Sequence, residues 1–324
     1  MAARLYVCAP SMTRPPELPQ HARTVATKQP KLTSVMALKL VLTAVFWGGS
    51  FIAGKIIAAS LPLMAAAFGR FFVASILLVG VAYHSEGGLP RLNRKQILTT
   101  AALGLSGIFL YNLFFFGALA RIPAGRTALF IALNPVVTAL AARLVLGDHL
   151  NARQWLGIGV AMLGSVIVIV KGDFAGAWHD LSQAFGIGEM LICLAVLSWV
   201  AYTLISRTAL SLSPIAATTY ASLWGLLFMA IGAADDILSL DWIGLDWQVW
   251  VSLFYIGALG TVAAFIWYYQ GIKAVGPART AVFTNLVPIS AVLLSAVLLD
   301  EPILISMLIG GALSLIGVSL TNRR

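Results

Sequence analysis

The sequence predicts an all-α membrane protein of ten transmembrane helices, arranged as two five-helix repeats of opposite orientation with both termini in the cytoplasm. Three observations carry that prediction. The chain is 60% hydrophobic and only 10% charged, with a mean hydropathy of +0.93, far from the usual composition of soluble domains. Its apolar runs recur at regular intervals, each near the ~20 residues that a bilayer crossing requires. A long block in the first half also returns in the second without a gap.

That block spans Ala118 to Ile169 in its first copy and Gly271 to Asn322 in its second. A constant shift of 153 residues superimposes Arg126 on Arg279, Thr127 on Thr280, Phe130 on Phe283, Pro135 on Pro288, Asp148 on Glu301, Gly157 on Gly310 and Gly164 on Gly317. Shared aliphatic residues are what any two membrane helices would show. An Arg-Thr pair, a proline and an acidic residue held in one register require duplication, and repeats dictate the symmetry of a fold.

Taken in order, residues 1–38 are polar, basic and proline-bearing, and read as a disordered cytoplasmic tail without the basic-then-apolar pattern of a signal peptide. The apolar segments then run over 40–58, 63–83, 97–117, 122–142 and 154–170, and over 186–206, 215–234, 249–269, 277–298 and 303–320. The first repeat is therefore 39–171, an outer linker covers 172–185, and the second repeat is 186–322. Lysine and arginine set the orientation. With the N-terminus inside, the cytoplasmic connections hold Arg91, Arg94, Lys95, Arg143, Arg153, Arg207, Lys273, Arg279, Arg323 and Arg324. The outer side receives Arg121, Arg126, Lys171 and an acidic loop with Asp235, Asp236, Asp241 and Asp246. The net charge of +9 reflects this bias beside anionic lipid and calls for no nucleic acid.

Five crossings per repeat is an odd number, so the second repeat enters the bilayer upside down relative to the first. Inverted halves can exchange roles between inward-open and outward-open states, with a binding site at their junction. Weaker symmetry upstream agrees. Trp47 and Pro62 match Trp199 and Pro214 at a shift of 152, and Phe114, Phe115 and Phe116 match Trp267, Tyr268 and Tyr269 at 153.

These residues carry a resemblance. FWGGSFIAGK at Phe46 to Lys55, GRF at Gly69 to Phe71, the two PAGRTALF-like openings, the two prolines and the LGD and LDE turns, in this order and duplicated, resemble the drug/metabolite transporter superfamily with its EamA domains, over roughly residues 40–320. The resemblance implies a central cavity lined by helices 1, 3, 4, 6, 8 and 9, peripheral helices 5 and 10, and export of amino acids, other metabolites or drugs. Asp148 departs conservatively from the glutamate common at the first turn.

Within that frame the candidate substrate-binding residues are Trp47, Phe51, Phe115, Phe130, Asn134, Trp199, Tyr202, Tyr268, Phe283 and Asn285. The rings provide an apolar wall tolerant of side-chain shape, and the amides offer both donor and acceptor, or else simply bond helix to helix. Gating or structural roles fall to Lys55, Arg70, Arg126, Pro135, Glu189, Arg279 and Pro288. An ionised group in an apolar helix is costly and faces water, an anion or a partner. Lys55 either snorkels to the headgroups, contacts substrate or pairs with Glu189 across an outer gate; Glu189 is the one acidic residue placed inside a helix, hence the candidate for proton coupling. Arg126 and Arg279 invite a substrate-carboxylate role through a bidentate guanidinium, but they stand in first helical turns near the interface, against the helix dipole, which favours a structural or gating one. Pro135 and Pro288 remove a backbone donor and kink helices 4 and 9. Trp178, Trp242, Trp247 and Trp250 read as interfacial belt residues.

Cys8 and Cys193 are too few for a disulfide framework, and His21, His84, His149 and His179 are placed in tails or loops, away from any metal cluster. With no nucleophile-base pair and no phosphate-binding GxxxxGK[ST] loop, an enzyme or an ATP-driven pump is not expected, and neither is a cofactor. The expectation is a secondary transporter in a bacterial inner membrane, sufficient as a monomer, exporting small neutral, zwitterionic amino acids or related metabolites. The alternatives are export of drugs or other small metabolites such as nucleosides and cationic compounds, or facilitated diffusion or uptake rather than coupled export.

Overall fold

The computed structural model describes residues 33–146, 151–171, 185–206, 212–232, 234–275, 280 and 283–322. Among them every regular element is helical. Arg279, Asp148, Arg207, Trp178 and His149, with the tail before residue 33 and the linker from 172 to 184, lie outside the described residues.

Helix α1, Ser34–Ser60, opens with the Thr33 hydroxyl accepting from the Met36 N–H and stops ahead of Pro62, which disfavours helical geometry in the residue before it. α2, Leu63–Glu86, ends at Gly87, whose φ of 73° is the left-handed conformation that closes a helix. α3, Arg94–Leu119, begins with a reciprocal capping box between Asn93 and Gln96. α4 follows Pro123 in two pieces, Ala124–Ile131 and Asn134–Leu146. α5, Ala152–Ile169, opens with a second capping box, Asn151 with Gln154. α6 spans Ile187–Ser206. α7, Pro214–Gly232, has proline at its first position, where no N–H is missed, and the Ser213 hydroxyl accepts from the Ala216 N–H. After a short turn of helix at Ala234–Ser239, α8 runs as Trp247–Phe254, Tyr255–Ala263 and Ala264–Val275. α9 is Leu286–Leu298 and α10 is Ile305–Asn322.

Seven of these stretches are long and apolar enough to cross a bilayer, and three further apolar helices, 152–168, 286–298 and 305–320, are shorter. Their order agrees with the sequence reading and their bounds to within about six residues, the expected start of helix 9 at 277 lying outside the described residues, with three differences. His84 lies in the last turn of α2 rather than in a loop. Helix 4 is interrupted at Ala132 and Leu133, and the start of helix 9 breaks at Asn285, the position 153 residues beyond Ala132. Each break precedes a proline that cannot donate to the carbonyl four residues back, so the turn opens there. The third difference is a wide, π-helical turn inside α3 at Gly104–Leu110 and another inside α8 at Tyr255–Ala263, repeat-related positions again.

The main core gathers Ile57, Phe71, Leu103, Phe116, Leu119, Ile192, Met229 and Leu253 from α1, α2, α3, α6, α7 and α8. Large apolar side chains also cover the outside, Leu98, Leu144, Val297 and Ile305 among them, as a lipid-facing surface demands. Trp247 and Trp250 are exposed at the start of α8, as belt residues are.

Contacts between the halves are reciprocal. A methyl group on Gly107 would collide with Tyr202, and one on Gly260 with Ser50; both pairs are related by the repeat. α5 and α10 cross in backbone contact: Gly164 lies against Gly310 and Ser314, and Gly317 against Gly157 and Ala161. Partner numbers rise on one helix as they fall on the other, so the two run antiparallel. The Ser314 hydroxyl donates to the Ala161 carbonyl, 3.4 Å away, at the centre of the crossing. Small residues permit such approach where lipid leaves no hydrophobic drive for helix association.

Candidate functional site

A cavity of about 380 Å³ lies between the halves, walled by residues of α1, α2, α3, α4, α6, α7, α8, the stretch before α9, α9 and α10. Two groups of rings shape it. Trp47 of α1 donates from its indole N–H to the Gly260 carbonyl at 3.0 Å and packs against Phe265 and Tyr268 of α8, with ring centroids 5.8 and 5.3 Å away. Opposite, Trp199 and Tyr202 of α6 stack at 5.1 Å, Trp199 meets Tyr111 of α3 at 5.2 Å, and Tyr111 leads through Phe115 to Phe51. Each of the repeat-related tryptophans thus packs on an aromatic helix of the opposite half, α8 for Trp47 and α3 for Trp199. The wide turns explain the fit. Gly107 and Gly260 lie within them, and their missing side chains admit Tyr202 and Ser50.

The polar lining is sparse. Asn134 begins the second piece of α4, and its side-chain carbonyl oxygen is buried without a partner. Asn285 lies at the break before α9 and donates to the Ser319 hydroxyl at 3.3 Å, so it joins helices as well as lining the cavity. Pro135 and Pro288 contribute to the same wall. Arg70 stands there too, rather than at a gate: one terminal nitrogen donates to the Asn112 side-chain oxygen at 2.8 Å and the other reaches the Thr261 hydroxyl at 3.5 Å. No aspartate or glutamate among the described residues lines the cavity.

Two ring assignments are corrected. Phe130 is 4% exposed and belongs to the main core; in the first piece of α4 it is Ala128 and Ile131 that reach the cavity. Phe283 is half-buried and does not reach the cavity wall. The wall also contains Tyr111, Asn112, Thr261 and Phe265, which sequence reasoning missed. The FIWYY run at 265–269 and the YN pair at 111–112 were the available signals.

At the end of the bundle where α4 and α6 begin, charges lock helix ends together. Arg126 and Glu189 form an ion pair at 2.7 Å with side chains 7% and 5% exposed. Glu189 therefore pairs with Arg126, not with Lys55, and it also accepts from the Gly186 N–H at 3.0 Å. Arg126, placed by sequence near the interface, is buried. Lys55 instead donates to the Ile122 carbonyl at 2.8 Å. Glu301, just beyond α9, accepts from the Ala124 and Gly125 N–H groups at 2.9 and 3.3 Å, meeting the orphan donors and positive end of α4. Among the described residues no group of three metal-ligating side chains comes together.

Known proteins share this fold. A solved crystal structure superimposes with a TM-score of 0.61, covering 89% of this chain and 98% of the other at 18% identity, which establishes likeness of fold. An uncharacterized transporter of Bacillus subtilis, YyaM, is 27% identical over 278 residues, 85% of this chain and 89% of the relative. A probable terminal-alkyne amino-acid exporter of Streptantibioticus cattleyicolor is 27% identical over 297 residues, 88% of this chain and 92% of the relative. The model of the EamA-like transporter family matches twice, at residues 34–170 and 186–323. With both of its repeats accounted for, this multi-pass membrane protein belongs to the EamA-like transporter family.

Proposed function

We propose that the chain is a secondary-active transporter that exports small neutral amino acids or closely related metabolites by alternating access. It would cross the inner membrane of a bacterium ten times with both termini in the cytoplasm, and a monomer would suffice for transport. The observation that carries this reading is the cavity, formed between both repeats and walled by rings and amides. Rings with few charges suit an apolar side chain, and a lining without a described carboxylate disfavours cationic drugs. The kinship with a probable amino-acid exporter points the same way.

In this mechanism the locked end is the outer one. α1 ends there while α6 begins there, and α4 begins where α9 ends, so corresponding helices of the repeats run in opposite directions. Opening outward separates α4 from α6 and from Glu301; the breaks at 132–133 and 285 let the outer part of α4 and the inner start of helix 9 swing independently of the rest.

Counterflow in proteoliposomes against amino acids, nucleosides, sugars and cationic drugs tests the substrate assignment. Saturable exchange of threonine, methionine, leucine or an aromatic amino acid is expected. Trp199→Ala should weaken apparent affinity about 2- to 10-fold, the value of one lost ring contact. Flux confined to nucleosides or cationic drugs would overturn the assignment while leaving the family intact. Topology has its own test. A cysteine introduced at Asp241 should react with an impermeant reagent from outside, and one at Lys95 only after permeabilisation; the reverse at either position rejects the orientation.

A further inference from the structure

We propose that Arg70 is the receptor for a carboxylate of the transported solute, and that a carboxylate, more than an amine, is what a substrate must carry. This deepens the transport reading above and rests on it. Arg70 projects from α2 into the cavity wall, with its guanidinium 5.1 Å from the Phe71 ring centroid. Its two hydrogen bonds go to neutral partners, Asn112 and Thr261, and its Nε is buried without any partner. No described carboxylate comes within ion-pair distance of it. A cation in this position is costly until an anion or water meets it, and every other formal charge is missing from the described lining. A solute carboxylate supplies the missing charge and matches the planar guanidinium fork.

The surroundings are built to hold that fork still. The Asn112 amide nitrogen donates to the Ile108 carbonyl at 2.7 Å, which turns its oxygen toward Arg70, and the Thr261 hydroxyl donates to the Ile256 carbonyl at 2.9 Å. Ile108 lies in the wide turn of α3, and Ile256 and Thr261 in that of α8. Wide turns of this kind concentrate at functional sites. The duplication breaks at this spot. Shifts of 152 and 153 place Ser222 where Arg70 would recur, Phe265 where Asn112 would, and Ile108 opposite Thr261. The packing glycines 104, 107, 257 and 260 are retained in both copies. One guanidinium in a doubled scaffold gives the solute a single orientation, with its carboxylate on the α2 side.

The test uses the purified full chain and four probes that share one side chain: leucine, leucinamide, leucinol and 4-methyl-2-oxopentanoate. Displacement binding should rank leucine and the oxo acid together, with leucinamide and leucinol about tenfold or more weaker. In Arg70→Gln the two acids should fall about 10- to 100-fold while the amide and alcohol stay unchanged, and Arg70→Lys should keep part of the preference. A merely structural arginine would weaken all four together. Equal binding of leucine and leucinamide by the wild type overturns the proposal, as does a folded Arg70→Gln protein that still discriminates them. Should Arg70→Gln fail to fold, the wild-type ranking and Asn112→Ala, which loosens the fork, decide. Binding of the oxo acid but not leucine would sustain the carboxylate receptor and overturn amino-acid export. Binding of leucine and leucinamide alike would do the opposite.

Discussion

Glu189→Gln should lose most of its transport and melt well below the wild type, with a destabilisation of about 3–5 kcal/mol, the cost of breaking a buried ion pair from one side. Arg126 is left as a buried cation whose carboxylate has gone, at a point where the start of α4, the start of α6 and Gly186 just before α6 converge. The double variant Arg126→Gln/Glu189→Gln should recover much of the stability, because two neutral amides can bond to one another. The native Cys193 thiol, one turn further along α6 and half-buried, reports on the gate. In a Cys8→Ser background its labelling from outside should rise in Glu189→Gln. Unchanged melting together with unchanged labelling would mean that the pair does not hold the outer end. Residual transport that no longer depends on a pH gradient in Glu189→Gln would assign coupling to this carboxylate, and transport that still depends on it would remove Glu189 from that role.

The second large effect is expected at the crossing of α5 and α10. Gly164→Ala should cost about 1–3 kcal/mol or more, the usual penalty of overpacking, since the new methyl group would stand against the backbone of Gly310 and Ser314 rather than against a side chain that can turn away. Gly159→Ala on the same helix meets nothing within 4 Å. It should be neutral, or stabilising by up to about 1 kcal/mol through helix propensity. Thermal melting in detergent separates the two; equal effects would show that backbone contact at the crossing is unimportant.

Much of this architecture is legible in the sequence because bilayer length and duplication are strong signals. The helix bounds and the interruptions tied to Pro135 and Pro288 derive from them, while the cavity positions of Trp47, Phe51, Phe115, Asn134, Trp199, Tyr202, Tyr268 and Asn285 follow from the cavity helices that the family resemblance implies. The facing of individual side chains does not. A helix that meets lipid on one side and apolar neighbours on the other is hydrophobic all round, so periodicity cannot say which face looks inward. The wide turns compound this. Each adds backbone within α3 or α8, so the inward face beyond the turn, which carries Asn112 with Phe115 and Phe265 with Tyr268, cannot be extrapolated from the residues before it. Phe130 fails because, in the first piece of α4, Ala128 and Ile131 face the cavity while Phe130 packs into the core. Arg70 was legible as a costly charge but not as part of the wall, because its neutral partners lie 42 and 191 residues away in sequence.

The antiparallel crossing at Ala161 and Ser314 has the form of an isologous interface. Gly164 meets the second copy's equivalent of Gly157, and Gly157 meets the second copy's equivalent of Gly164. That is the contact pattern by which two identical subunits join around a two-fold axis. One surface, presented twice in opposite senses, is complementary to itself. The covalent chain between the repeats therefore does not create this contact; it fixes a pairing that two separate half-length proteins, inserted in opposite directions, would already satisfy. Once both halves share a chain, residues away from the axis are free to diverge, and a single arginine can stand on one side of a cavity whose frame remains double.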